Sequence, residues 1–450
     1  MARKIDRRDV LKGAGTAGVV GLAGCITQND SGGNGGGGGN GNGGGGSDDE
    51  ETEADGETTE APDDSESMRT VMHSVLMPLT GDLASLGGPI RDGGTLPVKQ
   101  LEAAGDMPVE FDQTVEDSQT DPQAGIQAAN GLANAGYPTV CGPASSGVNL
   151  QVTREVFIPN GMIGCSPSST SPNVTTLDDD DLIFRTAPSD ALQGQVMAQV
   201  ADGELGNSSA AVLYVNNDYG QALAESFAGS FEEEYSGTVQ EQVAFEQEQS
   251  SYTSPLSTAM GDSPDMLVVI GYPASGIQIF RDFYANYSND TDVLVTDGLV
   301  DPTLPDEVGN DMANVYATTP QATGPGQEEF GQLYEDEYDR SPGVFNAHAY
   351  DASAVCLLAN VKAGENDGDV IKEEMRAVAN PNDGMEVTPG NLPEGLRAVA
   401  NGEDVYYQGA SSSVDFDENG DMTAVTYAFL QYNTDMEGNI ETISTIDFEA

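Results

Sequence analysis

The sequence predicts an α/β protein with two doubly wound, Rossmann-like lobes that are joined by a multi-strand hinge. Short apolar runs typical of buried strands alternate with segments of helical periodicity, which favours parallel sheets with helices on both faces. The alternation stops near residue 185 and starts again at residue 210. Residues 68–450 are also too many for one typical hydrophobic core, whereas two lobes accommodate them.

The first 67 residues have the composition of an export signal followed by a tether. Residues 7–12 resemble a twin-arginine motif, and residues 22–25 resemble a lipobox that ends at Cys25. The weakly apolar stretch between them is too short and too glycine-rich to span a bilayer permanently. We therefore expect residues 1–25 to act as a lipoprotein signal, with lipid on Cys25 and the protein held at the extracellular face of the membrane. Residues 26–67 are mostly Gly, Asn, Ser, Asp, Glu and Thr, which predicts a disordered linker.

The charge balance is strongly acidic, with 16 Lys and Arg against 75 Asp and Glu and a formal net charge of -59. Phosphate binding requires cations, so this balance argues against a nucleic-acid partner. An acidic, lysine-poor surface is similar to those of proteins from extreme halophiles. The densest acidic run of the folded part, residues 178–181, is interpreted as a solvated loop rather than a metal site.

The first alternating series begins with a strand and places helices between further strands. Asp121 and Pro122 open one helix as its N-cap and first-turn residue, and another begins near Val148. Pro97 falls inside the first predicted helix, residues 88–105, and is expected to bend or shorten it. The strands of this series are predicted at residues 71–77, 139–141, 161–165 and 182–185.

The second series repeats this alternation and is followed by a helical tail. Its strands are predicted at residues 210–215, 238–245, 266–270, 293–296 and 315–318, and its helices at 219–235, 255–260 and 275–287. The tail carries predicted helices at 327–338, 346–363, 369–379 and 392–401, then strands at 414–416 and 423–432. We expect residues 68–189 plus 320–415 to form lobe 1, and residues 190–319 plus 416–450 to form lobe 2.

Residues 415–421 have acidic spacing similar to a calcium-binding loop. No glutamate stands at the twelfth position that such a loop requires, so a hairpin turn is the preferred interpretation. Cys141, Cys165 and Cys356 show no zinc-binding spacing and are expected to be buried thiols. With two histidines and no recognisable catalytic motif, the sequence predicts neither an enzyme nor a metal or cofactor site.

Polar loops follow several of the predicted strands in a recognisable order. They are PLTG at 78–81, DP at 121–122, GPASSG at 142–147, SPSSTSP at 166–172, FRT at 184–186 and NDYG at 217–220. In this order they resemble the branched-chain amino-acid-binding family of type I periplasmic-binding proteins. The resemblance covers most of residues 69–450. It implies two lobes of the type I architecture with a ligand between them.

The chemistry of these loops suits a zwitterionic ligand. Hydroxyls and backbone N–H groups at helix N-termini bind carboxylates well, and Ser145, Ser146, Ser168 and Thr170 lie at the same predicted sheet edge. A carboxylate must then neutralise the ammonium group, and Asp190 begins the helix that leads into the second lobe. An N-cap role remains an alternative for Ser145, Ser146 and Asp190.

The resemblance adds further candidate binding residues. It implies that Asp297 holds the ligand ammonium and that Tyr219 and Tyr272 close over the ligand, although packing at the sheet edge is an alternative for both tyrosines. The family often has an aromatic residue after the first strand, and here Leu86 is the expected pocket residue. The resemblance also implies a monomer that captures a small amino-acid-like solute and delivers it to an ABC permease. The alternative is a solute sensor for amides, urea or similar compounds without a transport role.

Overall fold

The computed structural model describes residues 68–436 and 438–449. The predicted signal, the lipid site at Cys25 and the linker lie outside the described residues. Within the described residues, no helix combines the length and the apolar character needed to span a membrane. Two sheets organise the rest, and each is covered by helices, so the predicted α/β fold class with two lobes is confirmed.

The first sheet contains five parallel strands in the order β2-β1-β3-β4-β5. Its strands are β1 (Thr70–Met77), β2 (Glu110–Asp117), β3 (Thr139–Cys141), β4 (Ile163–Ser166) and β5 (Ile183–Arg185). The helices among them are α1 (Ala84–Ala104), α2 (Pro122–Ala135), α3 (Ser146–Val152), α4 (Ile158–Asn160) and α5 (Pro172–Thr175). A π-helical turn, Thr153–Phe157, makes α3 and α4 one continuous run.

The second sheet contains seven strands in the order β14-β13-β10-β9-β8-β6-β7, and its last two strands in sequence run antiparallel to their neighbours. Its strands are β6 (Ser209–Val215), β7 (Thr238–Phe245), β8 (Met266–Ile270), β9 (Asp292–Thr296), β10 (Val315–Gln321), β13 (Ala424–Tyr432) and β14 (Ile440–Glu449). The helices here are α6 (Asp190–Gln199), α7 (Asp218–Glu233), α8 (Thr253–Ala259), α9 (Pro273–Asn286) and α10 (Leu304–Val308).

The helical tail packs against the first sheet, because its central helix contacts α1 and the strands β1, β3 and β4. Its elements are α11 (Gln327–Tyr338), α12 (Asn346–Ala363), α13 (Gly368–Ala379), α14 (Leu392–Ala400) and the small parallel pair β11 (Met385–Val387) and β12 (Val405–Tyr407). The chain therefore passes between the two sheets three times, at residues 186–189, 322–326 and 408–423. We call these segments the three crossovers. The lobe boundaries given above stay a prediction.

Helix capping and the apolar pattern of neighbouring residues explain most of the helices and strands, and also explain where the sequence-based predictions differ from the structure. Asp121 caps α2 as predicted, since its Oδ1 accepts from Ala124 N at 2.9 Å with Pro122 at the first helical position. β2 was not predicted because it is an edge strand whose residues are largely polar and exposed. The expectation that Pro97 shortens the first helix is wrong, since α1 runs on to Ala104.

The strand predicted at residues 414–416 is wrong. Phe416 makes only an isolated bridge to Met422, with a tight turn between them. Asp417 Oδ1 accepts from the backbone N–H groups of Asn419 and Asp421, which stabilises this turn locally. Val414 has a φ of 48°, outside the extended region, so residues 414–416 do not form a strand. Elsewhere in the described part of the chain, Cys141, Cys165 and Cys356 are free and buried, as expected.

Candidate functional site: the cleft between the sheets

The carboxyl ends of the parallel strands face a cleft between the two sheets, where ligands bind in folds of this kind. The cleft is lined from the first-sheet side by loops after β1, β3 and β4 and by the start of α12, and from the second-sheet side by loops after β6, β8 and β9. Its lining residues are Pro78, Leu83, Leu86, Gly87, Ile90, Ala144, Ser145, Ser146, Ser168, Tyr219, Tyr272, Asp297, Gly298 and Phe345. Seven of the nine predicted binding residues are among them.

The hydroxyl groups of Ser145, Ser146 and Ser168 cluster at the start of the helical run 146–160. Ser145 occupies the N-cap position, but its side chain makes no capping bond and lies 3.2 Å from Tyr272 Oη instead. Ser146 Oγ accepts from Ser171 N at 3.3 Å, and Ser168 Oγ donates to the Ala144 carbonyl at 3.3 Å. The first N–H groups of a helix lack partners within it. Hydroxyls and backbone donors therefore face the cleft together, which suits an anionic oxygen.

Thr170 and Asp190 form a buried pair beside the cleft and do not line its cavity. Thr170 Oγ1 donates to Asp190 Oδ2 at 2.9 Å, whereas Asp190 Oδ1 is buried without a hydrogen-bond partner. The N-cap alternative for Asp190 does not hold, because Ser189 is the N-cap of α6. Burial raises the pKa of the Asp190 carboxyl well above its usual range, and the negative charge of Asp297 adds to this effect.

Asp297 lines the cavity directly at the end of β9. It is 3 % exposed, and Tyr219 Oη donates to it at 3.4 Å. Burial raises the pKa of the Asp297 carboxyl to about 6. Within the described part of the chain, none of the residues that line the cleft is Lys, Arg or His. The described cleft thus holds a buried carboxylate, with a second one nearby, and supplies no cationic side chain of its own.

Tyr219 and Tyr272 stack on one another, with ring centroids 5.6 Å apart and an interplanar angle of 9°. Tyr219 Oη is 2.7 Å from Thr296 Oγ1, so its hydroxyl points toward the end of β9 and Asp297. Tyr272 Oη accepts from Asn217 Nδ2 at 3.2 Å and faces Ser145. Both rings pack at the sheet edge and also contribute to the cleft wall, so the two alternatives considered for them are compatible.

Several cleft residues had no clear signal in the sequence. Phe345 lines the cavity from the residue before α12 and adopts a left-handed backbone conformation with φ of 63°, which is uncommon for a bulky residue. Gly298 is required for close approach, because a Cβ there would lie 2.4 Å from the Gly271 carbonyl. Asp82 and Ser275 bond across the cleft. The sequence showed only that Asp82 is a polar residue shortly after a strand. Many residues in such positions serve only in turns, so this signal did not single it out.

The arrangement leaves little free space, with a cavity of about 20 Å³. This is slightly more than the ~10–15 Å³ that one buried water requires. Admission of a molecule larger than water therefore requires the two walls of the cleft to move apart.

A cleft between two doubly wound sheets, with three crossovers and polar loops at the strand ends, defines the class of two-lobed solute-binding proteins. The chain belongs to the Periplasmic binding protein family, whose model matches residues 74–401. The resemblance stated from the sequence motifs is thus confirmed, and the family and fold are those of non-enzymatic solute-binding proteins.

The individual proteins that the chain resembles are about a quarter identical to it. The chain is 25 % identical over 307 residues to the chemotactic signal transduction system substrate-binding protein BasB of Halobacterium salinarum, covering 67 % of this chain and 71 % of the relative. It is 25 % identical to a leucine-, isoleucine-, valine-, threonine- and alanine-binding protein of Pseudomonas aeruginosa, covering 72 % and 85 %. A crystal structure of a leucine-binding protein from Thermotoga maritima shares the fold, with a TM-score of 0.69, 24 % identity and coverage of 84 % and 98 %.

Proposed function

We propose that this protein is an extracellular, lipid-anchored substrate-binding protein of an ABC importer, and that it binds a small aliphatic amino acid between its lobes. The observation that carries the proposal is Asp297, a buried carboxyl group in a cleft whose described lining has no cationic side chain, with Asp190 buried beside that cleft. Burying carboxylates without a cation is costly, so the site favours a ligand that brings its own positive charge.

The two ends of an amino acid fit the two polar sides of the cleft. The ammonium group binds Asp297, and its charge also relieves the repulsion between Asp297 and Asp190. The carboxylate binds Ser145, Ser146 and Ser168 together with the first N–H groups of the helical run. Simple anions bind poorly, because nothing in the described lining offsets the charge of Asp297.

The apolar part of the cleft sets the side-chain preference. Leu83, Leu86, Ile90 and Phe345 line one wall without a polar side chain among them. An aliphatic side chain of the ligand that moves from water to this apolar wall gains a binding free energy of roughly 25 cal/mol per Å² of apolar surface buried. The names of the Pseudomonas relative and the Thermotoga structure point the same way, since both are described as binding leucine.

The mechanism is hinge closure about the three crossovers. The ligand docks first on the hydroxyl cluster of lobe 1, and the second lobe then brings Tyr219, Tyr272 and Asp297 over it. Contacts made only in the closed form shift the equilibrium toward closure. The small size of the cavity supports closure after binding, because a ligand can enter only when the lobes separate.

Delivery and anchoring complete the proposal. The closed protein docks as a monomer on membrane permease subunits, and lipid on Cys25 keeps it at the extracellular face after twin-arginine export. Lobe 1 comprises residues 68–189 and 320–415, and lobe 2 comprises residues 190–319 and 416–450. The strongly acidic composition supports a salt-rich environment, in which surface charge repulsion is screened.

Solute sensing without transport is the second candidate, and the similarity to BasB favours it. A sensor and an importer component use the same cleft, so the cleft does not separate them. Deletion of the gene in its source organism separates them: an importer component is needed for uptake of labelled ligand, whereas a sensor is needed only for the behavioural response to it.

A thermal-shift screen in concentrated KCl tests the ligand class. The panel contains leucine, isoleucine, valine, alanine, urea, acetamide and benzoate. We expect the aliphatic amino acids to raise the melting temperature, because a ligand that binds only the native state stabilises it. A shift with benzoate and none with any amino acid would reject the zwitterion site, and a shift with urea or acetamide alone would favour the amide sensor.

A further inference from the structure

A second cavity lies at the hinge, separate from the cleft. It has a volume of about 370 Å³, which falls within the usual size of small-molecule sites. All three crossovers contribute to its wall, through Thr186 in the first, Thr323 in the second and Ser411 in the third. Any change in the angle between the lobes therefore changes the shape of this hinge cavity.

Two of the described residues that line the hinge cavity each carry a buried polar atom without a hydrogen-bond partner. One is His348 Nδ1, in the first turn of α12, and the other is Gln321 Oε1, at the end of β10. His348 is 4 % exposed, and its carbonyl accepts from Thr186 Oγ1 at 2.8 Å. A buried polar atom without a partner destabilises the protein, so a bound molecule that supplies the missing partner gains affinity.

The rest of the lining indicates the chemistry of that molecule. Hydroxyls dominate the polar part, and Thr323, Thr426 and Asp447 form a chain with Oγ1–Oγ1 and Oγ1–Oδ1 distances of 3.2 and 2.8 Å. Among the residues that the structure describes, no Lys or Arg lines the hinge cavity, and Asp447 is the one carboxylate in its lining. Burial lowers the pKa of His348 to about 3, so its ring is neutral. An anion finds no cation here, whereas a neutral molecule with several hydroxyls finds both donors and acceptors.

We propose that the hinge cavity is a second ligand site, and that it binds a small neutral polyhydroxyl compound through His348 and Gln321. Occupation also affects the cleft. The ring of Phe345, which lines the cleft, makes an edge contact with the ring of His348 at a centroid distance of 5.4 Å. A ligand held by His348 therefore biases the position of Phe345 as well as the angle at the crossovers.

The site is tested with D-glucose and myo-inositol as probes and sodium sulfate as the charged control, using saturation-transfer NMR titrations of the whole protein. We expect saturable binding of the two polyols in the millimolar range and none of sulfate. His348→Phe keeps a ring against Phe345, and Gln321→Leu keeps the side-chain volume. Each is expected to weaken polyol binding about tenfold, the usual effect of losing one or two buried hydrogen bonds.

The matched control is Gln240→Leu, which removes another buried, unpartnered amide oxygen, on β7 and away from the hinge cavity. It should leave polyol binding unchanged. All three variants remove a polar atom that has no partner, so none should lower the melting temperature. Absence of saturable polyol binding would show a crevice filled by water alone and overturn the proposal, as would equal binding by wild type, His348→Phe and Gln321→Leu.

Coupling to the cleft rests on the proposed function and has its own measurement. Leucine is titrated with and without saturating D-glucose, and we expect its Kd to change by about fivefold or more, the lower end of usual allosteric coupling. An unchanged Kd would overturn the coupling while leaving the hinge site intact. Failure of leucine to bind at all would count against the proposed function alone, because the polyol titration does not depend on it.

Discussion

Asp82 and Ser275, 193 residues apart in sequence, are joined across the cleft by two hydrogen bonds. Ser275 N donates to Asp82 Oδ1 at 2.6 Å, and Ser275 Oγ donates to Asp82 Oδ2 at 2.8 Å. The backbone of Asp82 takes part as well, because its carbonyl accepts from Ala274 N. A carboxylate of the first-sheet side thus sits at the N-terminus of α9 on the second-sheet side, where the helix dipole favours negative charge. These bonds join the two walls of the cleft, so we call them the latch and expect them to break when the walls move apart.

Removal of the latch should speed ligand release. Ser275→Ala deletes the charge-assisted hydrogen bond to Asp82, worth about 1.5–3 kcal/mol, and should raise the dissociation rate of the bound amino acid roughly tenfold. It also removes the bonds that Ser275 Oγ accepts from Glu248 N and Tyr252 Oη on the second-sheet side, which should lower stability without affecting release. Stopped-flow fluorescence measures this rate. The control is Ser74→Ala, which deletes a buried hydrogen bond to the Thr139 carbonyl within the first sheet. It should lower stability and leave the release rate unchanged; equal effects of the two variants would contradict the latch.

Replacing Asp297 should raise the stability of the unliganded protein and lower its affinity for the amino acid. Asp297→Asn removes a buried charge and its repulsion with Asp190, so the unliganded protein should gain stability, whereas the ligand ammonium loses its partner. We expect amino-acid affinity to fall by about 1.5–3 kcal/mol, or roughly 10- to 150-fold, in calorimetric titrations. Asp179→Asn is the matched control, since burial raises the pKa of that carboxyl to about 6 as well and it lies outside the cleft. Unchanged affinity in Asp297→Asn would reject its role.

Stability and affinity should respond to pH in opposite directions. Burial raises the pKa of Asp82, Asp297 and Asp351 to about 6 in the folded state, above the value of about 3.9 in the unfolded chain. The folded state therefore binds protons more tightly, and the resulting stabilisation is full below about pH 4 and lost as pH rises through about 6. Protonation at lower pH also reduces the negative charge of the folded protein, which stabilises it because fewer carboxylates repel one another.

Between about pH 7.5 and 5, the melting temperature should therefore rise as pH falls, by the linkage of these carboxyls. Amino-acid affinity should fall over the same range, because a protonated Asp297 no longer neutralises the ammonium group. Leucine itself does not titrate there, so the change belongs to the protein. Calorimetric titrations at several pH values measure the affinity; a flat profile for wild type, matching that of Asp297→Asn, would contradict this assignment.

Arg185 ties the third crossover to the binding loops. Its guanidinium is fully buried and binds Asp421 in bidentate fashion, with Nε–Oδ1 and Nη2–Oδ2 distances of 2.5 and 2.7 Å. Nη1 donates to the carbonyls of Ser169 and Ser171, on either side of Thr170. Breaking a buried pair by removing one partner costs about 3–5 kcal/mol, because the other charge is left unpaired.

Arg185→Met and Asp421→Asn should therefore each lower the free energy of unfolding by several kcal/mol, measured by denaturant titration in constant KCl. The double variant should lose clearly less than the sum of the two single losses, since no unpaired charge remains. Lys362→Met, which breaks an exposed pair with Asp404, serves as the control and should change stability by less than about 1 kcal/mol. Additive losses in the double variant would refute the pairing.

The sequence by itself determined the elements whose signals are local. Apolar runs and helix caps predicted most strands and helices to within a few residues, because they depend on near neighbours in the chain. The edge strands β2 and β14 escaped this reasoning, since an edge strand needs few apolar residues and is fixed by its partner. The bridge at Phe416 replaced a predicted strand for the same reason, because pairing depends on what lies opposite.

Tertiary structure alone decided which polar side chains meet. The sequence could nominate Ser145, Ser146 and Asp297 from their places after strands, and the fold brings them to one cavity. The sequence could not reveal that the side chain of Asp82 binds Ser275, or that His348 is buried at the hinge with a nitrogen that has no hydrogen-bond partner. Hydrogen bonds and burial between distant segments depend on the relative position of the lobes, which is set by packing across the three crossovers and has no counterpart in local sequence pattern.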